Sequence, residues 1–369
     1  MSPIHIGNEI PDIDGPVETG ESASVSILIT LTSESLAMTY AAARVVDVAS
    51  LPVIDLAPLM SGTSAGLDRT ASALTDAAER VGFFYVTNHG VPAGLIERAA
   101  EVSHRFFLAS RDEKATVAVE GRHRGWLDPG GAVMEGARRP DLKESFVWGI
   151  EIAADDPALA GNPLLAPNRW PAFLPELRPA LTAYLDAAHA CGWQLLRAFA
   201  HALGVPADHF IAHIDRPVSR GGTIYYPPQP ETAGVDQFGV APHTDFGCLT
   251  LLWQDEVGGL QVQANDGSWV AAPPMADCFV VNVGDLLARW TNDRFRSTPH
   301  RVVNTSGRSR QSIAIFIDPN VEQAVVPVCA PGEKARYAPV TVGEHIERRY
   351  QASFAYRQRQ ARNGTRAAS

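Results

Sequence analysis

Pro242-His243-Thr244-Asp245-Phe246-Gly247-Cys248-Leu249-Thr250-Leu251-Leu252-Trp253 decides how this chain is read. Cys248 to Trp253 has the composition of a strand, and on an extended chain residues i and i+2 project to one face. His243 and Asp245 can therefore converge on one ion. A third donor has to come from another strand, and His300 fits: it follows Thr298-Pro299 and opens the strand-like Arg301-Val302-Val303. Two neutral imidazoles and a carboxylate hold one face of an Fe(II) ion and leave the opposite face open. An open face is what oxygen activation by non-haem iron needs.

His-x-Asp occurs twice, at His213-Ile214-Asp215 as well. The segment from Asp208 to His213 has helical character, and residues two apart on a helix point to opposite sides. His213 and Asp215 therefore read as a solvated helix end. His89 sits in a turn after a strand and reads as structural. His5, His104, His123, His189, His201, His209 and His345 show no spacing that suggests ligation.

Outward from the His-x-Asp stretch, residues after Gly221 fall into short β-type runs at 222–226, 248–253, 259–263, 268–272, 278–283, 300–304 and 311–317, separated by Gly, Pro, Asn and Asp. Many short strands at close spacing indicate a sandwich or barrel, here a jelly roll, which can bring the strands of His243 and His300 together. Upstream, Leu51 to Leu56 opens the folded part as a strand. Residues 65–81 read as an amphipathic helix ended by Gly82, 83–86 as a strand, and 93–115 and 174–204 as helices. Residues 121–170, rich in Gly, Pro and charge, read as an irregular connection. The expected division is a poorly ordered extension at 1–49, a helical region with capping strands at 50–220, a jelly-roll core at 221–320, and a C-terminal segment at 321–369 whose helix packs on the core. Met38 is an alternative start.

The chain has 369 residues and a formal net charge of −10, which excludes a fold-wide electrostatic footprint for nucleic acid. Its four cysteines, Cys191, Cys248, Cys278 and Cys329, form no C-x-x-C pair, which argues against a zinc ribbon or disulfide framework and fits a reducing compartment. Cys248 reads as a small buried core residue rather than a thiolate ligand. The first twenty residues carry acids but no Lys or Arg, unlike a secretory leader. The apolar stretch 25–46 is broken by Thr30, Ser33, Glu34, Ser35 and Arg44, too polar to span a bilayer. The expectation is a cytoplasmic protein, monomeric or weakly oligomeric, that acts on a small molecule and engages neither membrane nor nucleic acid.

Beyond His300 stands Arg310-Gln311-Ser312. Period two puts Arg310 and Ser312 on one face of a strand and Gln311, Ile313, Ile315 and Ile317 on the other. An inward guanidinium beside a hydroxyl binds a carboxylate through charge-assisted hydrogen bonds. The competing reading is an Arg at a strand end reaching solvent. Tyr226, in Tyr225-Tyr226-Pro227-Pro228, offers another hydroxyl.

Together these motifs resemble the isopenicillin N synthase-like family of iron- and 2-oxoglutarate-dependent oxygenases. The resemblance runs from about Leu51 to Phe354. It rests on Leu51-Pro-Val-Ile-Asp-Leu56, Gly82-Phe-Phe-Tyr-Val-Thr-Asn-His-Gly-Val91, Tyr226-Pro-Pro228 and Pro242-His-Thr-Asp-Phe-Gly247. Gly258-Gly-Leu-Gln-Val262, Asp266-Gly-Ser-Trp269, Asn282-Val-Gly-Asp285, Ser297-Thr-Pro-His-Arg-Val-Val-Asn304 and Arg310-Gln-Ser312 continue the series. It implies a mainly β fold with flanking helices on a double-stranded β-helix (jelly-roll, cupin-like) core. It implies His243, Asp245 and His300 as iron ligands, and Arg310, Ser312 and Tyr226 as residues holding 2-oxoglutarate. Ile224 stands where family members often carry Asn, which removes one polar contact. The implied reaction oxidises, most commonly hydroxylates, a small molecule with O₂ while 2-oxoglutarate becomes succinate and CO₂.

Loops over the barrel mouth set the pocket in that family, so Arg124, Trp126, Phe146 and Trp148 are candidate substrate liners, with ordinary core packing as the alternative for the aromatics. Arg124 would suit an acidic or amino-acid-like substrate. Three rivals share the scaffold: an iron oxidase that needs no 2-oxoglutarate, an ethylene-forming enzyme, and a catalytically silent binding protein. The last would lack a ligand or the anion-binding Arg, and both are present. A cupin-type site would use more histidines.

Overall fold

The computed structural model of the protein describes residues 51–131, 139–229 and 237–353. The extension 1–49 and the alternative start at Met38 lie outside them. The first half supplies β1 (Val53–Asp55), α1 (Ala57–Met60), α2 (Ser64–Arg80), β2 (Phe83–Thr87), α3 (Ala93–Leu108), α4 (Arg111–Ala115), β3 (Gly125–Leu127), β4 (Glu144–Gly149) and α5 (Leu177–Ala202). Then come β5 (Arg220–Tyr226), β6 (Val240–His243), β7 (Leu249–Gln254), β8 (Leu260–Gln263), β9 (Trp269–Ala271), β10 (Phe279–Val283) and α6 (Asp285–Trp290). The chain continues through β11 (His300–Val302), β12 (Arg310–Ile317), β13 (Ala324–Val325), β14 (Val340–Thr341) and α7 (Val342–Ser353).

Two sheets face each other. The larger has the order β1-β2-β10-β7-β12-β5-β4-β3, the smaller β6-β11-β8-β9. Strand alternation divides the large sheet's side chains between two cores. Phe84, Val86, Phe279, Val281, Leu251, Ile313, Ile315 and Ile317 point outward and meet α2, α3 and α5. Each such side chain, fully buried, contributes roughly 1.5–3 kcal/mol. Phe83, Tyr85, Val280 and Tyr226 point inward and meet Val240, Leu260, Val262 and Val302 of the small sheet. The fold is thus the expected mainly β jelly roll with flanking helices, its two sheets remaining separate. Among the described residues, no helix is long and apolar enough to cross a membrane.

Three local readings change. The 93–115 helix is two helices, because Ser110 starts a new one: its hydroxyl accepts from Glu113 N and Glu113 reaches back to Ser110 N. Asp208 to Ile211 forms turns rather than helix, leaving His213 and Asp215 exposed, with Asp215 accepting from Asn320 at 2.7 Å. The segment 121–170 is not wholly irregular, since β3 and β4 extend the large sheet beside β5. Glu144–Gly149 is buried along its whole length, so it carries no alternating signature.

Candidate active site

β6 and β11 are antiparallel neighbours with His243 directly opposite His300. Their rings lie 4.2 Å apart, centroid to centroid. Asp245 stands two residues beyond β6 in a loop fastened to the start of α6. The Asp245, Gly247 and Cys248 carbonyls accept from the N–H groups of Asp285, Leu286 and Gly284. Gly284 permits this approach, because a Cβ there would run into the Gly247 carbonyl oxygen. Gly247 has the same function on its other side, where a Cβ would strike the Asp318 carboxylate.

The donor atoms are aimed inward. His243 Nδ1 donates to Ala241 O at 2.9 Å, and His300 Nδ1 faces Thr298 O at 3.3 Å. A carbonyl can only accept, so each Nδ1 carries a proton, and in a neutral ring the lone pair is then on Nε2. Both Nε2 atoms lie 3.8 Å from Asp245 Oδ1. The other carboxylate oxygen, Oδ2, is occupied by Asn282 Nδ2 at 2.7 Å and by the Thr250 hydroxyl. One carboxylate oxygen is thereby left for an ion. Among the described residues this trio is the cluster whose ligand atoms lie within 4.8 Å of one another.

The charge states match. Burial, helped by His300, pushes His243 down to about 3 against the pull of Asp245. Burial alone would raise Asp245, but His300, His243 and the hydrogen bonds from Asn282 and Thr250 outweigh it and hold the carboxyl below its ordinary range. At neutral pH the trio offers a neutral imidazole at His243 and an ionised carboxylate. Those are the donors a hard-to-borderline divalent metal takes.

A second constellation lies in the same cavity. Arg310 is 1% exposed, opposite Tyr226 across the β12–β5 ladder, with its guanidinium 4.6 Å from the centre of the tyrosine ring. It donates to Ser312 Oγ at 3.2 Å, to Gln254 Oε1 at 3.1 Å and to the Gly258 carbonyl. Among the described residues no carboxylate pairs with it. Ser312, Tyr226 and Ile224 line the cavity with it, as do the triad, Thr250 and Asn282.

The candidate substrate liners are corrected by one residue. Arg124, Trp126, Phe146 and Trp148 do not line the cavity, whereas their neighbours His123, Leu127, Ser145 and Val147 do. The indole of Trp126 donates to Glu144, itself paired with Lys114 at 2.8 Å. Phe146 packs edge-on against Phe106, Trp148 donates to the Leu181 carbonyl of α5, and Arg124 is held by the carbonyls of His123 and Leu164. Because side chains alternate along β3 and β4, an outward Trp126 or Phe146 obliges its neighbours to face inward.

Asn282, Thr250 and Asp285 were not assigned from sequence. Asp285 accepts from Thr244 at 3.1 Å and from Ser297 at 2.6 Å. Arg349 of α7 pairs with Asp285 at 3.1 Å and donates to Thr244 at 3.3 Å, bracing the residue that lies between His243 and Asp245. Asn282-Val-Gly-Asp285 was the available signal: its Asn, Gly and Asp all serve the Asp245 loop. Cys248 is buried in the outer core, and all four cysteines are free.

The family models for the 2OG-Fe(II) oxygenase superfamily and for the N-terminal region of non-haem dioxygenases of morphine synthesis match residues 222–319 and 51–173. A 2-oxoglutarate-Fe(II) type oxidoreductase of Emericella nidulans is 34% identical over 82% of this chain and 90% of its own length. A homoarginine-6-hydroxylase of Oryza sativa subsp. japonica is 31% identical over 84% of this chain and 98% of its own. The crystal structure of a full-length Neurospora crassa protein in complex with alpha-KG (2-oxoglutarate) and thymine superposes with a TM-score of 0.71 at 28% identity, covering 82% of this chain and 96% of that one. Facing sheets, a convergent His-Asp-His trio and a buried guanidinium thus coincide with these likenesses, and the chain belongs to the 2-oxoglutarate- and Fe(II)-dependent oxygenases.

Proposed function

We propose that this oxygenase hydroxylates a small organic molecule, with His243, Asp245 and His300 holding the iron and Arg310, Ser312 and Tyr226 holding the far carboxylate of 2-oxoglutarate. The supporting observation is Arg310: a guanidinium removed from water without a carboxylate partner is costly, and an anion in the cavity relieves that cost. Bound Fe(II) and 2-oxoglutarate supply an oxidant able to attack an unactivated C–H bond, with succinate and CO₂ as coproducts.

The protein's part is positioning and exclusion of water. Ala241 and Thr298 fix the imidazole planes, while Asn282 and Thr250 keep Asp245 from turning. Phe83 lies edge-on to His300, ring centres 5.1 Å apart, and walls the site. Leu252, Ala314 and Gly222 add apolar lining to the cavity. The motif series supports placement among isopenicillin N synthase-like enzymes, and four free thiols support a reducing, cytoplasmic setting.

Anaerobic titration with Fe(II) and then 2-oxoglutarate tests the reading. A weak visible charge-transfer band is expected in the wild type. In Arg310→Met it should require at least tenfold more 2-oxoglutarate. Succinate release then separates this activity from an oxidase that uses no cosubstrate, and headspace ethylene from an ethylene-forming one. A wild type with no band and no succinate would refute the assignment.

A further inference from the structure

Arg220, at the start of β5, is 6% exposed and lines the same cavity as the triad. Its guanidinium lies 4.3 Å from the ring centre of Phe316 and 5.0 Å from that of Tyr350. It makes no hydrogen bond to any described residue, and its nearest carboxylate oxygen, Asp318 Oδ2, is 3.8 Å away. A carboxylate built to hold an arginine takes it at about 2.7–2.9 Å. Asp318 is instead fastened through Oδ1 to the N–H of Cys248, and its Oδ2 has no hydrogen-bond partner. The pair offsets charge and leaves the guanidinium's donors unspent.

Strand register gives Arg220 its place. Arg220 faces Phe316, Phe316 faces Thr250, and Thr250 faces Asn282 across successive strands. The last two residues hold Asp245, so Arg220 stands level with the metal ligands, about 10 Å from Thr250 by strand spacing. Arg310 stands at the far end of the β5–β12 pair, six residues from Phe316 and roughly 20 Å along the strand. One cation therefore lies at the Arg310 end of the cavity, and another stands beside the triad at the opposite end. Between them Gly222 leaves open space, because a Cβ there would meet only the edge of Phe316, at 4.0 Å. Lys143, paired with Asp141 at 3.2 Å, and His123 line the same cavity.

We infer that Arg220 is a substrate-binding residue that receives a carboxylate of the primary substrate, so that this oxygenase acts on small organic acids. The inference rests on the triad and Arg310 being the iron and cosubstrate sites. A planar carboxylate matches the guanidinium fork, and the two flanking rings keep that fork in one plane.

The test uses protein loaded anaerobically with Fe(II) and 2-oxoglutarate. Calorimetry measures binding of acetate, butanoate, octanoate and phenylacetate, each beside its primary amide. At least one acid should saturate the wild type and bind at least tenfold more tightly than its amide. Arg220→Gln should weaken that acid at least tenfold while the charge-transfer band forms at the wild-type 2-oxoglutarate concentration. Arg220→Lys should fall between. The double variant Arg220→Gln, Asp318→Asn removes both charges and guards against misfolding of the single one. Three outcomes overturn the inference: no acid binds the wild type, the amides bind as tightly, or the double variant keeps acid affinity. Failure of the band in the wild type would count against the cosubstrate reading instead.

Discussion

Asn282→Leu is the most informative change to the metal centre, because it alters the hold on a ligand without replacing any ligand. Asn282 is 3% exposed, and its amide donates to Asp245 Oδ2 at 2.7 Å. Leucine is of similar size and donates nothing. A hydrogen bond to a charged group contributes about 1.5–3 kcal/mol. It exists both before and after metal binding, however, so most of that energy does not appear as lost affinity. What is lost is the orientation of Oδ1 toward the two Nε2 atoms. Changes of this kind cost about 10- to 100-fold in metal affinity, or roughly 1.4–2.7 kcal/mol. Thr250→Val should act in the same range through the same oxygen. The double variant should exceed the sum, since Oδ2 then loses its last donor inside the protein. Anaerobic calorimetry with Fe(II), run beside thermal melts, reads all three. An Asn282→Leu protein that melts normally and binds iron within twofold of the wild type would refute the idea that the occupied oxygen sets the geometry.

Gly284→Ala should lower metal affinity at least tenfold and reduce the melting temperature, because the new methyl collides with the Gly247 carbonyl and displaces the Asp245 loop. A variant with wild-type affinity and melting would show that the loop yields. His189, whose pKa burial pushes down to about 4, makes folding pH-dependent. The folded chain resists a proton that the unfolded chain takes at about 6.5, so stability is complete above that pH and falls as pH drops toward 4. The loss between pH 7 and pH 5 is about 2 kcal/mol. Urea melts at the two pH values should differ less in His189→Leu by that amount, with His345, also pushed to about 4, retaining its own share. An unchanged difference would acquit His189. Asp215→Ala, in the second His-x-Asp, should leave iron affinity untouched and lower stability by about 1 kcal/mol, because its carboxylate accepts from Asn320 at 2.7 Å.

What the sequence disclosed and what it concealed follow from the reach of local patterns. The β12 face was legible because Arg310 and Ser312 alternate with Gln311 and Ile313, and that alternation survives in the structure. His243 and Asp245 were separable from His213 and Asp215 because the strand beside them declares itself locally. β4 was not legible: it is buried on both faces, and its Glu144 is neutralised by Lys114 from a helix far upstream. With that strand read as a loop, nothing fixed which of Phe146 and Val147 faced the cavity, and a slip of one residue exchanges the two sets. Asn282 and Asp285 were hidden differently. Their partners lie across the fold, and no periodicity records a hydrogen bond between strands.

The brace from Arg349 to Thr244 spans 105 residues of chain. A ribosome adding about 5–20 residues each second takes roughly 5 to 20 s to cover that stretch. Throughout that interval the two ligands flanking Thr244 have been synthesised while the arginine that steadies them has not. The nascent chain therefore exposes a loosely held donor set before it owns a finished one, and tight metal capture belongs to the completed polypeptide. A chain cut short before α7 would carry every ligand and still hold its metal poorly.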